Sequence, residues 1–422
     1  MTETSTTGTG AAPQRAALAR LLGTTGAEDF ARDHWGRTLH LATAQDRGGD
    51  DFSDLFSLAA VDELVSERGL RTPFLRVAKD GSTLPDRAFT AGGGIGAGIA
   101  DQVSEDKLLQ LFADGATIVL QGLHRTWAPI RDLSQDLAAK LGHPVQVNAY
   151  VTPPQNQGFA DHYDIHDVFV LQVHGEKRWA LREPVHEAPL RDQPWADRRG
   201  EVEARAGEAA YLETTLRPGD CLYLPRGWIH SARALGGVTV HLTIGVHQWT
   251  RHHLAEALLD RARPALAGSA DVRASLPLGV DLTDPASLAR DVETAREALL
   301  EAVRALPAEE VVRVLRGKER ASQRPAPVAP LAQLAAAEAL TAQDVLRLRR
   351  HLLVDVLPGA GEEVTVSSRA GRFGMRTAHL PVLRRLLGEG RLRVADLAAE
   401  PDEALELGRL LLRQGLATVA EG

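Results

Sequence analysis

The segment GFADHYDIHDVFVLQVHGEKRW (158–179) combines a β-strand pattern with a high density of titratable side chains. Three histidines, three aspartates and one lysine surround or follow the apolar run VFVLQV (168–173). A half-buried strand ordinarily alternates apolar and polar residues, with its charged groups on the solvent face. The concentration of imidazoles and carboxylates beside an apolar run therefore predicts a binding site within a β-rich domain.

The spacing of His162 and Asp164 is the first specific feature of this segment. On an extended strand, residues two apart project from the same face, and the residue between them projects from the other. We therefore predict that the imidazole of His162 and the carboxylate of Asp164 converge, while Tyr163 points away.

A second motif, RPGDCLYLPRGWIHSA (217–232), has the spacing G-x5-P-x-G-x2-H and ends on His230. It predicts a strand over 221–224, a Pro-Arg-Gly turn and a returning strand that brings His230 back across the sheet. Two imidazoles and one carboxylate on one side of a metal leave three adjacent coordination positions open. That ligand set is typical of non-haem Fe(II) oxygenases.

A single histidine in a strand is more often a hydrogen-bonded structural residue than a metal ligand, and H-x-D alone recurs by chance. The combination of H-x-D with the second motif, in this chain order, favours the metal site. The other candidates are interpreted as structural: His166, His174, His186, His241 and His247 as surface or packing histidines, Asp167 as a strand-edge or turn carboxylate able to orient a ligand, and Cys221 as a core residue.

The remainder of the chain divides into regions of different composition. Its 422 residues suggest two or three domains. Short β-branched runs indicate a β-sandwich or barrel, and a later helical region carries an apolar stripe over 284–305 that must be buried. The predicted divisions are a disordered N-terminus (1–14), an oxygenase domain (15–250), a helical segment (251–321), a proline-rich linker (322–330) and a C-terminal domain (331–422).

Composition also restricts location and partners. The net charge of −8 disfavours a generic polyanion partner, and the single cysteine excludes an intramolecular disulfide framework. The sequence shows neither a secretory signal pattern nor a long uncharged apolar run, so we expect a soluble cytoplasmic protein that does not insert into a membrane. Arginines are balanced by acidic residues over 326–422, and we expect no strong nucleic-acid binding.

The two motifs and the surrounding stretch VNAYVTPPQNQGFADHYDIHDVFVLQVHGEKRWAL (147–181) resemble the JmjC/cupin-4 family of 2-oxoglutarate oxygenases, in particular its ribosomal-oxygenase branch. The resemblance is specific over 115–250 and weaker elsewhere. It implies an α+β fold: a double-stranded β-helix (cupin/JmjC jelly roll) core, followed by a helical dimerisation segment and a small winged-helix-like C-terminal domain.

The resemblance also implies roles for individual residues. His162, Asp164 and His230 would bind Fe(II), Lys177 would pair with the distal carboxylate of 2-oxoglutarate, and Asn148, Tyr150 and Thr243 would lie in the same pocket. Without the resemblance, Lys177 would pass for a surface lysine near a turn, and Asn148 and Tyr150 for barrel-lining polar residues. The chain departs from the family pattern at Gly245, where a hydroxyl residue is often found.

The implied activity is hydroxylation of a protein side chain, Arg or His of a ribosomal protein, by a homodimeric enzyme that uses Fe(II), 2-oxoglutarate and O2. Two alternatives remain open: the same chemistry on a peptide natural product or small molecule, and a non-catalytic cupin-type ligand sensor. The glycine-rich stretch TAGGGIGAGIAD (90–101) lacks the context of a dinucleotide-binding motif. We interpret it as a flexible loop over the substrate groove.

Overall fold

The computed structural model describes residues 16–79, 81–154, 156–157 and 159–420. The predicted disordered segment 1–14 lies outside the described residues. The chain divides into two units between Gln248 and Trp249, close to the predicted end of the oxygenase domain. The predicted helical segment, linker and C-terminal domain therefore all belong to the second unit.

The first unit is predominantly β-structure with helices packed around it. Its elements are α1 (Ala17–Leu22), α2 (Ala27–Asp33), β1 (His40–Ala42), α3 (Leu58–Ser66), β2 (Leu75–Lys79), β3 (Ser82–Thr83), β4 (Thr90–Ala91), β5 (Gln102–Val103), α4 (Glu105–Ala113), β6 (Thr117–Leu120), α5 (Leu123–Thr126), α6 (Ala128–Leu141), β7 (Val145–Thr152), β8 (Asp167–Arg182), α7 (Arg199–Ala206), β9 (Leu212–Leu216), β10 (Cys221–Leu224) and β11 (Ile229–Val246).

Nine of these strands form one hydrogen-bonded sheet in the order β1-β10-β8-β11-β7-β6-β2-β3, with β9 paired to β8. The long strands β8 and β11 are antiparallel to each other over most of their length, and they connect the two halves of the sheet. The prediction of a β-rich core is confirmed.

The predicted strand, Pro-Arg-Gly turn and returning strand are present, but the two strands are not neighbours in the sheet. Strands β10 and β11 both pair antiparallel with β8, on its two opposite edges, so they do not pair with each other. The turn therefore crosses β8 rather than closing a hairpin, although both strands have nearly the predicted bounds. Sequence spacing predicted the strands and the turn, but it carries no information about a third strand inserted between them.

A bulge in β8 decides which residues of that strand face the interior cavity. Before it, Val168 and Val170 line the cavity; after it, Lys177 and Trp179 do, so the inward positions change from even to odd numbers. The pairing with β11 is irregular at the same point. Gly175 has φ +66°, and a β-carbon there would overlap a carbonyl oxygen of β11. An extra residue reverses the strand's alternation, and this places the lysine inside.

The alternating residues of β8 contribute to two separate apolar clusters. Phe169 and Leu171 pack into the larger core beneath the helices, whereas Val168, Val170 and Trp179 pack into a smaller cluster on the other face of the strand. This arrangement is that of a sheet folded over upon itself, with one face of β8 against helices and the other toward the opposite strands.

The second unit has a hydrophobic core of its own. Its elements are α8 (Arg251–Gly268), α9 (Ala289–Ala305), α10 (Ala308–Ser322), α11 (Pro330–Glu338), β12 (Val345–Leu348), β13 (Asp355–Pro358), β14 (Glu363–Ser368), β15 (Gly371–Arg376), α12 (Leu380–Glu389), β16 (Arg391–Arg393), α13 (Pro401–Arg413) and β17 (Ala417–Val419). Two three-stranded sheets form, in the orders β16-β12-β17 and β13-β14-β15.

The predicted linker 322–330 is packed onto this unit. Gln323 is buried, and the backbone of Ala326 is hydrogen-bonded to Arg350 (N to O, 3.0 Å) and to the side chain of Arg349 (Nε to O, 2.5 Å). The segment contains three prolines, and these contacts attach it to the rest of the second unit. Over the described ranges, we find no helix both long and apolar enough to cross a lipid bilayer.

Candidate metal centre and its cavity

His162, Asp164 and His230 lie together in the structure. One ligand atom from each residue can be chosen so that all lie within 4.8 Å of one another. The two imidazole ring centroids are 4.5 Å apart, and Nε2 of His230 is 3.7 Å from Oδ2 of Asp164. Three potential ligand atoms this close together could hold a single metal ion.

The first two residues are held by a loop and not, as we expected, by a regular strand. His162 precedes β8 and forms an isolated β-bridge with His230, the second residue of β11. The bridge has two backbone hydrogen bonds, from His162 N to His230 O (3.2 Å) and from His230 N to His162 O (2.8 Å). Asp164 is tied to the turn before β11, because Gly227 N donates to its carbonyl oxygen (3.0 Å).

Both imidazoles are oriented by backbone carbonyl groups. Nδ1 of His162 is 2.7 Å from the carbonyl oxygen of Ala160, and Nδ1 of His230 is 3.0 Å from that of Trp228. A carbonyl oxygen only accepts, so each ring carries its proton on Nδ1 and leaves the Nε2 lone pair free. Such a partner on the second ring nitrogen is usual for metal-binding histidines.

The electrostatics of the site favour the protonation states that a metal requires. Burial, together with the neighbouring His162, lowers the pKa of His230 to about 4. Burial raises the pKa of the Asp164 carboxyl, but the nearby histidines His166, His230 and His162 outweigh it, and the net direction is downward. At neutral pH the site therefore offers a neutral His230 imidazole and a carboxylate. Two nitrogen donors and one oxygen donor fit Fe(II) with open positions.

The three residues open into a cavity of about 240 Å³ within the first unit. Three of the four predicted co-substrate residues line it: Lys177, Tyr150 and Thr243. The fourth, Asn148, is not among the lining side chains. Its Oδ1 instead accepts a hydrogen bond from the backbone N of Gly122 (3.0 Å), which is the structural alternative considered for a polar residue on this strand.

Lys177 lies in the wall of the cavity, and among the described residues no carboxylate pairs with its amine. Its side chain is only 3% exposed, and Nζ contacts the hydroxyl of Thr152 (3.1 Å) and Nδ1 of His241 (3.5 Å), both of them neutral partners. Burial lowers its pKa to about 7. Burying an ammonium group without a counter-ion is costly. An anionic ligand in the cavity would relieve that cost.

His241 is the histidine whose surroundings differ most from our expectation. It is buried and lines the cavity, with its ring stacked on Tyr150 at 4.9 Å and an interplanar angle of 3°. Burial, and secondarily the charge of Lys177, holds its pKa well below the usual value. A neutral ring beside an ammonium group can accept a hydrogen bond from it. His241 therefore helps to define the position of the Lys177 side chain.

Asp167 and Cys221 have structural surroundings. The fully buried Asp167 carboxylate accepts hydrogen bonds from the Tyr223 hydroxyl and from the backbone N of Arg226 (2.9 Å), and burial raises its pKa. Asp167 thus fixes the turn that precedes His230. Burial raises the pKa of the Cys221 thiol to about 12, so this residue packs in the core rather than acting as a thiolate.

The glycine at position 245 has a steric explanation in this structure. A β-carbon at Gly245 would lie 2.5 Å from the ring of His166, which stacks on His247 at 5.0 Å. We expect Gly245→Ala to lower the free energy of unfolding by about 1–3 kcal/mol, because the imidazole must move. Denaturant titration measures this. Gly237→Ala on the same strand, where nothing lies within 4 Å, is the control, and an equal effect of both would contradict the explanation.

Sequence reasoning missed several residues of the cavity, some of them distant from the two motifs along the chain. They are Arg76, Thr117, Phe159, Trp179, Trp195 and His241. Of these, only His241 carried a usable signal, since it lies two residues before Thr243 on the same face of β11. The predicted lid, 90–101, contributes no side chain to the lining among the described residues; β4 and β5 pair at its two ends.

Residues 125–254 match the family model of the JmjC domain. They include all three candidate metal ligands, Lys177, and the long strands β8 and β11. This part of the chain is similar to the JmjC domain, and the sheet described above has the cupin-type arrangement expected of that fold. The fold predicted for the first unit is confirmed at this level.

Two curated relatives match part of the chain in sequence. Human ribosomal oxygenase 1 is 37% identical over 178 residues, covering 41% of this chain and 27% of the relative. The bifunctional lysine-specific demethylase and histidyl-hydroxylase NO66 of Drosophila persimilis is 27% identical over 278 residues, covering 62% and 36%. The chain thus spans only about a quarter to a third of the length of these curated relatives.

Solved structures of the Escherichia coli ribosomal oxygenase YcfD match nearly the whole chain. One covers 94% of this chain and 99% of the other, with a TM-score of 0.54 and 20% identity. A structure of YcfD in complex with cobalt and 2-oxoglutarate gives a TM-score of 0.53 with 19% identity and the same coverage. At this level of identity, the likeness concerns the fold.

Proposed function

We propose that this chain is an Fe(II)- and 2-oxoglutarate-dependent oxygenase that hydroxylates a side chain of a protein, with ribosomal proteins as the substrate class. One observation carries the proposal: the two-histidine, one-carboxylate cluster and the buried Lys177 line the same cavity. A metal-chelating ligand with a second carboxylate at its far end satisfies both features. 2-Oxoglutarate has that chemistry, and YcfD has been crystallised with it.

Each residue of the site has a defined task in this proposal. His162, Asp164 and His230 hold the metal through Nε2, a carboxylate oxygen and Nε2, and Lys177 with Thr152 binds the distal carboxylate of 2-oxoglutarate. When bound, Fe(II) and 2-oxoglutarate supply the activation of O2 and the oxidation of a C–H bond. The protein supplies orientation, a counter-charge and a wall that restricts water. Tyr150 and Thr243 shape the cavity between the two ends of the co-substrate.

The proposal is tested by reconstitution with a protein substrate. The purified chain, supplied with Fe(II), 2-oxoglutarate and ribosomal proteins from a strain lacking the gene, should produce succinate and add one oxygen atom to one residue of one protein. Peptide mass spectrometry locates that residue, and a His230→Ala variant provides the background. Failure to form succinate with any substrate would contradict the enzyme proposal and favour a ligand sensor. Turnover restricted to small molecules or peptide natural products would overturn the substrate class.

The proposal also includes a winged-helix-like C-terminal part and a cytoplasmic location.

We further propose a homodimer formed through the helical segment, and support for it comes from α9. Its side chains include none that is buried within this chain, and Val292 and Leu300 are 49% and 45% exposed. Asp284 caps the 3-10 turn that leads into α9, because its side chain accepts a hydrogen bond from Ala286 N (3.0 Å). An amphipathic helix with so exposed an apolar stripe fits a second copy of itself.

We expect a two-fold dimer at micromolar concentration, and we expect Leu300→Glu to shift it to monomer because a carboxylate cannot be buried unpaired in an apolar interface. Light scattering after size-exclusion chromatography measures the mass. Leu331→Glu, which changes an exposed leucine of α11, is the control and should leave the dimer intact. A monomeric native protein would contradict the proposal.

A further inference from the structure

The wall of the cavity carries a cation that the proposed co-substrate does not neutralise. Arg76 lies on β2, is half-buried and lines the cavity beside the candidate metal ligands. Its side chain is hydrogen-bonded to Tyr150, but its Nε is buried without a hydrogen-bond partner among the described residues. The charge of Arg76 is one of those that lower the pKa of the Asp164 carboxyl. A purely structural arginine at a buried position would ordinarily have its donors satisfied.

Aromatic side chains beside His162 are associated with arginines as well. Phe159 and Trp195 have ring centroids 6.0 Å and 6.3 Å from that of His162. The guanidinium of Arg76 lies 5.5 Å from the Phe159 ring centroid, and that of Arg199 lies 4.6 Å from the Trp195 centroid. Each ring therefore already has one cation over a face. The flat, apolar surfaces near the metal remain suited to a planar group.

The charges around the cavity can be counted with the co-substrate in place. The distal carboxylate of 2-oxoglutarate neutralises Lys177, and the Asp164 carboxylate is used by the metal. The two charges of Fe(II) would be balanced by that carboxylate and by the chelating carboxylate of 2-oxoglutarate, so the positive charge of Arg76 would remain unbalanced in the cavity wall. A substrate guanidinium or ammonium group would have to lose its hydration next to Arg76. Binding would then cost both the desolvation of that charge and its repulsion by Arg76.

We propose that Arg76 is a specificity-determining residue that restricts the hydroxylated side chain to an uncharged planar group, such as an imidazole or a carboxamide, and excludes arginine and lysine. This inference rests on the proposed function and narrows its substrate class. Arg76 can also attract the favoured side chains. Its unsatisfied Nε can donate a hydrogen bond to a carbonyl oxygen or ring nitrogen of an uncharged side chain.

A pair of probes that differ in charge but hardly in shape tests the inference. N-acetyl-citrulline amide is uncharged and planar at its end, and N-acetyl-arginine amide is its cationic counterpart. Binding to the full chain loaded with Co(II) and 2-oxoglutarate is measured from the paramagnetic broadening of each probe's proton resonances. Two positive charges about 6 Å apart, at an effective dielectric constant of about 40, weaken binding about tenfold, and we expect the arginine probe to bind at least that much more weakly.

Variants test whether Arg76 causes the preference for the citrulline probe over the arginine probe. Arg76→Gln should reduce the citrulline-to-arginine preference about tenfold, whereas Arg76→Lys, which keeps the charge, should retain it. Arg178→Gln is the matched control, because Arg178 is an exposed residue of β8 paired with Glu213, and it should leave the preference unchanged. Binding of 2-oxoglutarate is recorded first from the cobalt absorption spectrum.

The outcomes separate this inference from the function on which it rests. Failure of the Co(II)-loaded chain to bind 2-oxoglutarate would overturn the proposed function. With 2-oxoglutarate bound, equal affinity for the two probes, no binding of either probe, or a preference that survives in Arg76→Gln would overturn the role of Arg76. Hydroxylation of an arginine in the ribosomal-protein experiment would overturn it as well.

Discussion

His230→Ala and His162→Ala are each expected to lose the metal and the activity together. Each variant removes one of three ligands from a site with no replacement donor at the same position, so occupancy should fall from about one Fe(II) per chain to near zero. Turnover should decrease by more than about a hundredfold, since changes to groups that merely support metal ligands already cost about 10–100-fold. Metal analysis of anaerobically reconstituted protein and a succinate assay measure the two effects.

His174→Ala is the matched control for this experiment. His174 is an exposed histidine of the same strand that carries Lys177, and its removal should change neither metal content nor turnover. Full metal occupancy in either ligand variant would show that the assigned cluster is not the metal centre. Circular dichroism distinguishes loss of the ion from loss of the fold.

Lys177→Ala is expected to raise the apparent constant for 2-oxoglutarate strongly while metal binding stays near normal. Removing one partner of a buried ion pair costs about 3–5 kcal/mol, which corresponds to a factor of at least about a hundred. Lys177→Arg should have a smaller effect, because it keeps the charge although the length and shape of the head group change. Succinate formation measured over a range of 2-oxoglutarate concentrations gives the constants.

Lys140→Ala, at an exposed lysine of α6, serves as the control and should leave the constant unchanged. An unaltered constant in Lys177→Ala would move the carboxylate site to another part of the cavity. Metal analysis of the same preparations separates the two effects, since loss of iron in this variant would indicate a structural defect around the whole site.

The features that sequence analysis predicted well are those encoded within a few residues. The H-x-D pair and the G-x5-P-x-G-x2-H motif each specify a short piece of backbone, and the structure brings His162, Asp164 and His230 together. Lys177 was identified through the resemblance to the JmjC/cupin-4 family, since the sequence alone favoured a surface lysine. The ends of strands β10 and β11 were also predictable, because proline and glycine interrupt the apolar runs on either side of the turn.

Other features depend on contacts that no local pattern records. Arg76 enters the cavity from β2, which reaches the ligand strands only through β6 and β7 in the sheet order. The position of β8 between β10 and β11 could not be predicted for the same reason. Asn148 and Tyr150 share a strand face in sequence terms, yet a backbone donor at Gly122 holds Asn148 away from the cavity. Pairing order and competing hydrogen bonds are properties of the folded chain.

The metal centre is assembled from a loop and from the sheet, and this division has a kinetic consequence. His230 belongs to β11, one of the best-paired strands of the unit, whereas His162 and Asp164 are attached to it by the bridge and by one hydrogen bond from Gly227. Segments with so few backbone bonds open locally at a free energy well below that of global unfolding. The bound ion would therefore leave by local opening of 159–166, and its exchange rate would follow the lifetime of that loop's closed state while the β-core remained folded.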